Sequence, residues 1–567
     1  MQSQQLFHEP PPSTFQRLHH DAHSPVFQSF IELALEPPEP PREVKVVLGR
    51  WRLNIVTLGL WVALFLSALD TTIVSTALLS ISNDLGQFEK SSWIVIAYLL
   101  TYTGFMLIHT KFSDIFGRKA MILTSLIVFI ASSIGCASSR TMTSLIIFRA
   151  FQGLGGSGLY SNVTIIVPDM VPPARYGLYL GIVASVFAVA SFLGPVLGGV
   201  IVDQTTWRWI FYMNIPTGAL AFLIVTFALP NGFPKIHGTQ PSSDRAWDYM
   251  KQNGARIDWP GAALSLVFSF LVLFALEEGG TTYPWTSPGI VMSLSLACLA
   301  LIGFMLWQYR LGARGSSRKE ALLPSRLFTR RVIGFLLLSI VMIGIPFIAT
   351  IVNLPLRFQT VDGTTAQTAG IRMLPMLLTS ALTSGLIAQF IWIPPCYILL
   401  LANALQTLAL GLLSSLSLTV FSTQPVQYLY LAIFGAGIGT SITVALHMAR
   451  LEVEERDLAV VMGASSYLRL LGGNIGVGIC TAILNRTLRR QLADFLAPAE
   501  VASLLQSSAI PAGLSDRKID MIKTAYAIGF RSQLRVMLGI SVGAFLVTLW
   551  TWERNPRSAV RLAGEMR

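Results

Sequence analysis

Four residues with charged or amide side chains lie inside long apolar stretches of this sequence. Asp70 lies near the end of the first such stretch, Arg149 and Gln152 lie in the fourth, and Arg469 lies in the thirteenth. A charge at the middle of a bilayer costs about 2.5–3.5 kcal/mol on insertion scales, and such residues usually mark proton relays or substrate paths. We therefore predict that the chain transports a substrate across a membrane.

The composition indicates that these residues lie in membrane-spanning helices. Of the 567 residues, 53% are hydrophobic and 12% are charged, and the mean hydropathy is +0.60. Soluble domains carry about 25% charged residues, so we predict an integral membrane protein. The formal net charge of +12 needs no nucleic-acid partner, because membrane proteins gather Lys and Arg in their cytoplasmic loops.

Neither a cofactor nor a metal is predicted. All four cysteines fall in apolar stretches and form no CxxC pair, which disfavours a disulfide framework and a zinc site. No GxxxxGK[ST] loop is found, which argues against an ATP-driven pump. No cluster of catalytic residue types stands out, so an enzyme is not expected.

One glycine-rich run matches the pattern of a dinucleotide-binding motif. Gly153-Leu-Gly155-Gly-Ser-Gly158 matches GxGxxG, but that fingerprint needs a preceding strand, and this run lies within a predicted transmembrane helix. We predict that its small residues let helices approach closely.

The apolar stretches predict an all-α fold of about fourteen transmembrane helices, since each span needs roughly 20 residues. Basic residues concentrate in loops that are cytoplasmic when the N-terminus is inside, so we expect both termini in the cytoplasm. The polar, Pro-rich N-terminus contains no cleavable signal peptide and is predicted to be a disordered tail.

The basic segment 486–535 is an exception, because the count of spans places it outside the cell. Residues 496–506 and 519–530 have a weakly amphipathic pattern, which predicts that part of the segment lies along the membrane surface. The sequon Asn485-Arg-Thr487 adjoins this segment, and we predict glycosylation at Asn485.

The sequence KFSDIFGRK at residues 111–119 connects spans 2 and 3. Gly117 permits a tight turn, and Asp114 can pair with a basic residue or cap a neighbouring helix. Arg118 and Lys119 are predicted to anchor the cytoplasmic face. The spacing resembles the signature G-x-L-a-D-r-x-G-R-K of the major facilitator superfamily of secondary transporters.

Span 4 is similar to a second motif of this superfamily, R-x-x-Q-G-x-G-A. Arg149 and Gln152 are three residues apart and share a helix face. The resemblance implies that Arg149 takes part in proton transfer or its coupling. The residues equally allow a fixed salt-bridge partner, for example of Asp70, and the two roles are compatible. One departure is Thr110, which stands where the loop signature has its first glycine and predicts looser packing between spans 2 and 11.

Span 5 ends with Gly194-Pro195-Val-Leu-Gly198-Gly199. A proline removes a helical hydrogen bond and glycines allow close packing, so we predict a kink or hinge. The run matches G-P-x-x-G-G, a motif that the superfamily's exporters carry far more often than its uptake symporters. This resemblance implies export.

Three more segments narrow the resemblance to the 14-spanner drug:proton antiporters, particularly the fungal multidrug and mycotoxin efflux type. The chain around Asp70 resembles L-D-x-T-I-V-x-x-A-L-P, with Leu79 in place of the proline. Two further motifs of this group lie at the starts of spans 6 and 7. The matched residues are Trp207, Arg208, Trp209, Asn214 and Pro216 at span 6, and Asp258 and Trp259 at span 7. The resemblance covers about residues 50–555.

The resemblance also implies a domain organisation with two pseudo-symmetric six-helix halves and two additional helices. The predicted segments are a cytoplasmic tail (1–50), the N-terminal half (51–229), cytoplasmic loops with the two extra spans (230–331), the C-terminal half (332–555), which contains Arg469, and a second tail (556–567).

The implied function is export of amphipathic organic compounds, such as drugs, toxins or fungal secondary metabolites, in exchange for protons by alternating access. Asp70, Arg149 and Gln152 are the expected proton-coupling residues. The expected partners are the small-molecule substrate, protons and the lipid bilayer. The expected location is the plasma membrane, with the vacuolar membrane as the alternative. Two other functions stay open, a proton-coupled uptake carrier such as a siderophore transporter and a membrane sensor that does not transport.

Overall fold

The computed structural model is helical almost throughout. It describes residues 49–86, 90, 92–171, 176–230, 257–280, 283–313, 321–324, 326–390, 393–416, 425–453, 455–493, 496–497, 500–501 and 515–554. Within these residues the one β-type pairing is an isolated bridge between Gly279 and Tyr283. The prediction of an all-α fold is confirmed. The predicted tails lie outside the described residues, except for residues 49 and 50.

Seventeen α-helices make up the described chain, numbered here in chain order. The first nine are α1 Arg50–Leu85, α2 Ser92–Phe116, α3 Arg118–Ser138, α4 Met142–Met170, α5 Tyr176–Gln204, α6 Trp209–Tyr212, α7 Asn214–Ala228, α8 Trp259–Glu278 and α9 Pro288–Ala313. The other eight are α10 Arg326–Thr329, α11 Arg331–Thr360, α12 Ala366–Arg372, α13 Leu374–Leu386, α14 Pro395–Ser414, α15 Val426–Glu452, α16 Glu455–Leu492 and α17 Asp516–Leu549.

Eleven segments of the described chain are long and apolar enough to cross a bilayer, with α6 and α7 forming one of them. In lipid a backbone must satisfy its own hydrogen bonds, so apolar spans fold as helices. Helices α4 and α5, of 29 residues each, and the shorter apolar α13 occupy three further predicted span positions. The count of fourteen spans stays a prediction.

Large apolar side chains cover outer surfaces of these helices. Phe227 on α7 is 76% exposed and Leu299 on α9 is 63% exposed. Contiguous apolar surface of this kind is rare on soluble monomers. It suits contact with lipid tails, and it agrees with a multi-pass membrane protein.

The glycine-rich run in α4 serves helix packing, as predicted. A Cβ at Gly153 would overlap the Tyr98 carbonyl oxygen of α2, and one at Gly155 would lie 2.7 Å from the Phe129 amide nitrogen of α3. Since both obstacles are backbone atoms, neither can move aside cheaply. Helix α4 is therefore closely packed between α2 and α3.

Helices α8 and α9 pack against each other, and α8 also packs against α2 and α16. Asp258 caps the N-terminus of α8 by accepting a hydrogen bond from the Gly261 amide at 3.0 Å. The same carboxylate accepts bonds from Trp307 Nε1 at 2.7 Å and Gln308 Nε2 at 2.6 Å, both on α9. Asp258 therefore joins the two helices. Trp259, the next residue, is 59% exposed.

The last two helices differ from the prediction for segment 486–535. Helix α16 continues to Leu492, and residues 519–530 belong to α17 rather than to a separate surface helix. The two helices share a small apolar core that includes Leu488, Ile522 and Tyr526. This core gives the apolar residues of segment 519–530 a protein partner. Of the other predicted surface segment, residues 498–499 and 502–506 lie outside the described residues.

The predicted glycosylation site lies within α16. Asn485 is in the interior of that helix and is only 9% exposed. An acceptor asparagine is normally found on an accessible surface loop, so this placement counts against the predicted modification. A sequon pattern contains no information on burial, so the sequence alone could predict the modification but not the burial of Asn485.

Candidate functional site

Asp70 and Arg149 form a buried ion pair between α1 and α4. Each residue is 1% exposed. Arg149 Nη1 donates to Asp70 Oδ2 and, at 2.8 Å, to Gln152 Oε1, while Arg149 Nε donates to the Ile94 carbonyl at 3.0 Å. Gln152 Nε2 in turn donates to Asp70 Oδ1 at 2.9 Å. The predicted pairing and the shared helix face are both present.

Two further helices complete this network. Gln152 Nε2 also donates to Ser133 Oγ on α3 at 3.0 Å. Asn214, the first residue of α7, donates to both Asp70 Oδ1 and Ser133 Oγ at 3.4 Å. The guanidinium carbon of Arg149 lies 4.3 Å from the centroid of the Tyr98 ring on α2. The sequence predicted Asn214 only as a residue of the family motif at span 6. It did not predict Ser133 or Tyr98, because the spans contain many other serines and tyrosines.

The charge balance of this network depends on the Asp70 carboxylate. Three side chains donate to the buried carboxylate, and one of them, Arg149, is its cationic partner. If the carboxyl group binds a proton, its charge is lost and Arg149 becomes a buried cation without a counter-charge, which is a costly arrangement.

The turn between α2 and α3 forms a second cluster of charges. Gly117 has a φ of 97°, a left-handed conformation that favours glycine. Arg118 Nη1 donates to Asp114 Oδ1 at 2.5 Å, and Arg118 Nε donates to Asp169 Oδ2 at 3.2 Å. Lys119 donates to a backbone carbonyl of α7 at 2.7 Å. The predicted pairing of Asp114 is confirmed, and Asp169 at the end of α4 is a partner that the sequence did not reveal.

Thr110 lies against α16, the thirteenth predicted span, so the looser packing predicted between spans 2 and 11 stays a prediction. Helix α2 packs against α16. A Cβ at Gly463 of α16 would overlap the side chain of Thr110. The small residue that this contact needs is therefore on α16 instead of α2.

The motif at the end of α5 contacts the helix that carries Asp70. Helix α5 continues through Pro195 to Gln204 without an interruption. Gly194 is buried, and a Cβ at this position would overlap Thr72 Oγ1 on α1. Thr72 itself donates to the Ala190 carbonyl at 3.1 Å. Gly198 is also buried, whereas Gly199 has open space at its Cβ position.

We expect Gly194→Val to slow transport and destabilise the protein, because the new methyl groups overlap Thr72. Overpacking of this kind costs about 1–3 kcal/mol. Gly199→Val is the matched control on the same helix, and we expect a change below about 0.5 kcal/mol there. Thermal unfolding in detergent and initial export rates measure the two effects. Equal losses in both variants would show that the contact with Thr72 is not the cause.

Trp207 and Arg208 bind the far end of α1. Trp207 Nε1 and Arg208 Nη1 donate to Asp84 Oδ2 at 2.9 and 2.8 Å, and Arg208 Nη2 donates to the Ser139 carbonyl at 3.2 Å. These bonds hold the pKa of Asp84 below its usual value. The two residues therefore connect α1 and α3 to the start of α6. Trp209 is exposed. Pro216, another residue of the family motif at span 6, lies in the first turn of α7.

A central cavity lies between α4, α5, α11, α13, α15 and α16. It contains about 740 Å³ of space not occupied by atoms, part of which is open to solvent. Aromatic and aliphatic side chains form most of its wall, and the polar part consists of Tyr160, Thr164, Ser380, Thr443 and Arg469. Of the site residues predicted from sequence, Arg469 is the one that lines this cavity. The sequence could not identify Tyr160 or Phe187, because aromatic residues are common throughout the spans.

Buried charges and a central cavity in a helical membrane bundle are typical of a transporter. The chain matches the Major Facilitator Superfamily over residues 60–477, and it belongs to that family. It is therefore a transporter rather than an enzyme.

Relatives named as transporters or efflux pumps agree with this assignment. The chain is 43% identical over 534 residues to the MFS-type transporter FPY5 of Fusarium mangiferae, covering 93% of this chain and 88% of that protein. It is 31% identical over 472 residues to the efflux pump dotC of Dothistroma septosporum, covering 83% and 78% of the two chains. The multidrug transporter protein MdtP of Bacillus subtilis is 30% identical over 464 residues, or 81% of each chain.

A solved structure shares the fold. The human organic anion transporter MFSD10 (TETRAN) aligns with a TM-score of 0.53 at 16% identity, covering 88% of this chain and 99% of that one. The chain thus resembles the fungal efflux type of the superfamily in sequence and the superfamily's fold in structure.

Proposed function

We propose that this protein is a secondary active transporter that exports amphipathic organic compounds in exchange for protons. The observation that carries the proposal is the buried Asp70–Arg149 pair, with Gln152 and Asn214 as further donors to the carboxylate. A group that can bind one proton inside a membrane bundle is what proton coupling requires. We place the exporter in the plasma membrane.

The proposed cycle alternates access to Asp70 between the two sides of the membrane. The halves formed by residues 51–229 and 332–555 rock around the central cavity. When Asp70 binds a proton from outside, Arg149 loses its counter-charge and the helices around it shift. When the inward arrangement returns Asp70 to Arg149, the proton leaves to the inside. Substrate moves in the opposite direction through the cavity.

The energy of one proton is sufficient for useful export. A proton that crosses about 100 mV releases about 2.3 kcal/mol, and one pH unit adds about 1.4 kcal/mol. Together these supply a substrate gradient of roughly 500-fold, since each 1.4 kcal/mol is a factor of ten.

The outward direction is supported by the α5 motif and by relatives named as efflux pumps. The contact of Gly194 with Thr72 joins the end of α5 to the helix of Asp70, so movement of α5 can reach the proton-binding group. Two of the relatives, dotC and aunC, are named as efflux pumps.

Dye efflux tests this function. The protein is expressed in a host without its own efflux pumps, and export of fluorescent hydrophobic dyes is followed with and without a protonophore. We expect energy-dependent efflux that the protonophore abolishes. Efflux that ignores the protonophore would contradict the antiport mechanism. Inward movement would favour the uptake carrier, and binding without movement would favour the sensor.

A further inference from the structure

One cationic side chain in the central cavity has no anionic partner. Arg469 is the one charged residue among the described residues that line this cavity. Its guanidinium donates to the Tyr160 hydroxyl and lies 5.8 Å from the centroid of the Tyr160 ring and 5.9 Å from that of Phe347. A guanidinium has five N–H donors. The Tyr160 hydroxyl oxygen and the Tyr160 and Phe347 rings are too few to accept from all of them, so most of the Arg469 donors have no acceptor.

Four other arginines of the described chain differ from Arg469 in this respect. None of the described carboxylates forms an ion pair with Arg469. Four arginines that do have such partners are Arg118 with Asp114 and Asp169, Arg149 with Asp70, Arg208 with Asp84, and Arg372 with Asp362. A charge inside a membrane is normally paired or faces a functional cavity. Arg469 is in the second situation.

We infer that the central cavity binds its substrate as an organic anion, with Arg469 as the counter-charge; this inference rests on the proposed function. The planar guanidinium fork matches a carboxylate with two parallel hydrogen bonds. A bound carboxylate also removes the isolated charge, so the anion and the cavity neutralise each other.

The wall of the cavity determines the rest of the substrate. Phe187, Phe347 and several aliphatic residues of α13 and α15 supply apolar surface. The Phe187 ring meets the Tyr160 ring edge-on, with their centroids 5.7 Å apart, which places an aromatic corner near the guanidinium. The favoured ligand is an amphipathic acid with an apolar or aromatic body and one anionic end. An amphipathic cation of the same shape would be repelled by Arg469.

Two dyes that share a xanthene core and carry opposite charge test this inference. Wild type, Arg469→Gln and Arg469→Lys are purified and placed in phosphatidylcholine nanodiscs, and binding of fluorescein and of rhodamine 123 is measured by equilibrium dialysis. We expect fluorescein to bind wild type, with its affinity lowered about tenfold or more in Arg469→Gln and only about threefold in Arg469→Lys. We expect rhodamine 123 to bind wild type more weakly and to gain affinity in Arg469→Gln.

A matched control separates the site from general charge. Arg310→Gln removes an exposed cation from the last turn of α9, and it should leave both affinities unchanged. Size-exclusion profiles show whether each variant is folded, and Arg469→Lys keeps the charge if the glutamine variant is unstable. Absence of fluorescein binding to wild type, or equal binding by Arg469→Gln, would overturn the inference. The assay needs no proton gradient, so a failure of proton-coupled export in cells would leave its result intact.

Discussion

Asp70→Asn is expected to reduce protonophore-sensitive export to background. Asparagine keeps the shape of the side chain and can still accept bonds from Gln152 and Asn214, but it cannot bind and release a proton. Removing one member of a buried ion pair also costs about 3–5 kcal/mol, so the melting temperature should fall as Arg149 loses its counter-charge. Dye efflux from cells and thermal unfolding of the purified protein measure the two effects.

Two further variants separate the loss of coupling from the loss of stability. Asp84→Asn makes the same chemical change on the same helix, where the side chain is 46% exposed, and it should retain export. The double variant Asp70→Asn/Arg149→Gln removes both charges and should recover much of the lost stability without recovering transport. If the double variant regained protonophore-sensitive export, Asp70 could not be the proton carrier. Export by Asp70→Asn at the wild-type rate would lead to the same conclusion.

Pairing within the membrane could be predicted because bilayer energetics leave few choices. Asp70 and Arg149 both lie in apolar stretches, and Gln152 follows Arg149 by three residues on a helix. Their network in the structure is what these rules require. For Asp114 the sequence left two roles open, pairing with a basic residue or capping a helix, and the structure shows its pair with Arg118.

Contacts between distant helices could not be predicted in the same way. Nothing near Trp207 in the sequence indicates that its indole will meet Asp84, 123 residues earlier. The contact of Thr110 with Gly463 joins helices that are more than 300 residues apart, and neither helix alone indicates it. The burial of Asn485 likewise depends on how α16 packs, which a sequon pattern cannot contain.

We expect that most molecules of the Gly153→Val variant do not fold. The valine Cβ would overlap the Tyr98 carbonyl oxygen and Thr101 Oγ1 of α2, so α2 and α4 must separate. That movement also disturbs Gln152, the neighbouring residue, and with it the bonds that hold Asp70. Overpacking alone costs about 1–3 kcal/mol, and the disturbed polar network adds to this cost. The amount of monodisperse protein extracted from membranes, and its melting temperature, measure the effect.

The same test distinguishes helix packing from a nucleotide-binding role of the glycine run. Gly199→Val introduces an identical side chain where the Cβ position has open space, so normal yield is expected from that control. Gly153→Ala is a graded variant, because its single methyl group still meets the Tyr98 carbonyl but requires a smaller shift. If packing decides the outcome, yield and melting temperature fall in the order glycine, alanine, valine at position 153. A full yield of the valine variant would show that α2 and α4 are not packed as closely as their glycine contact requires.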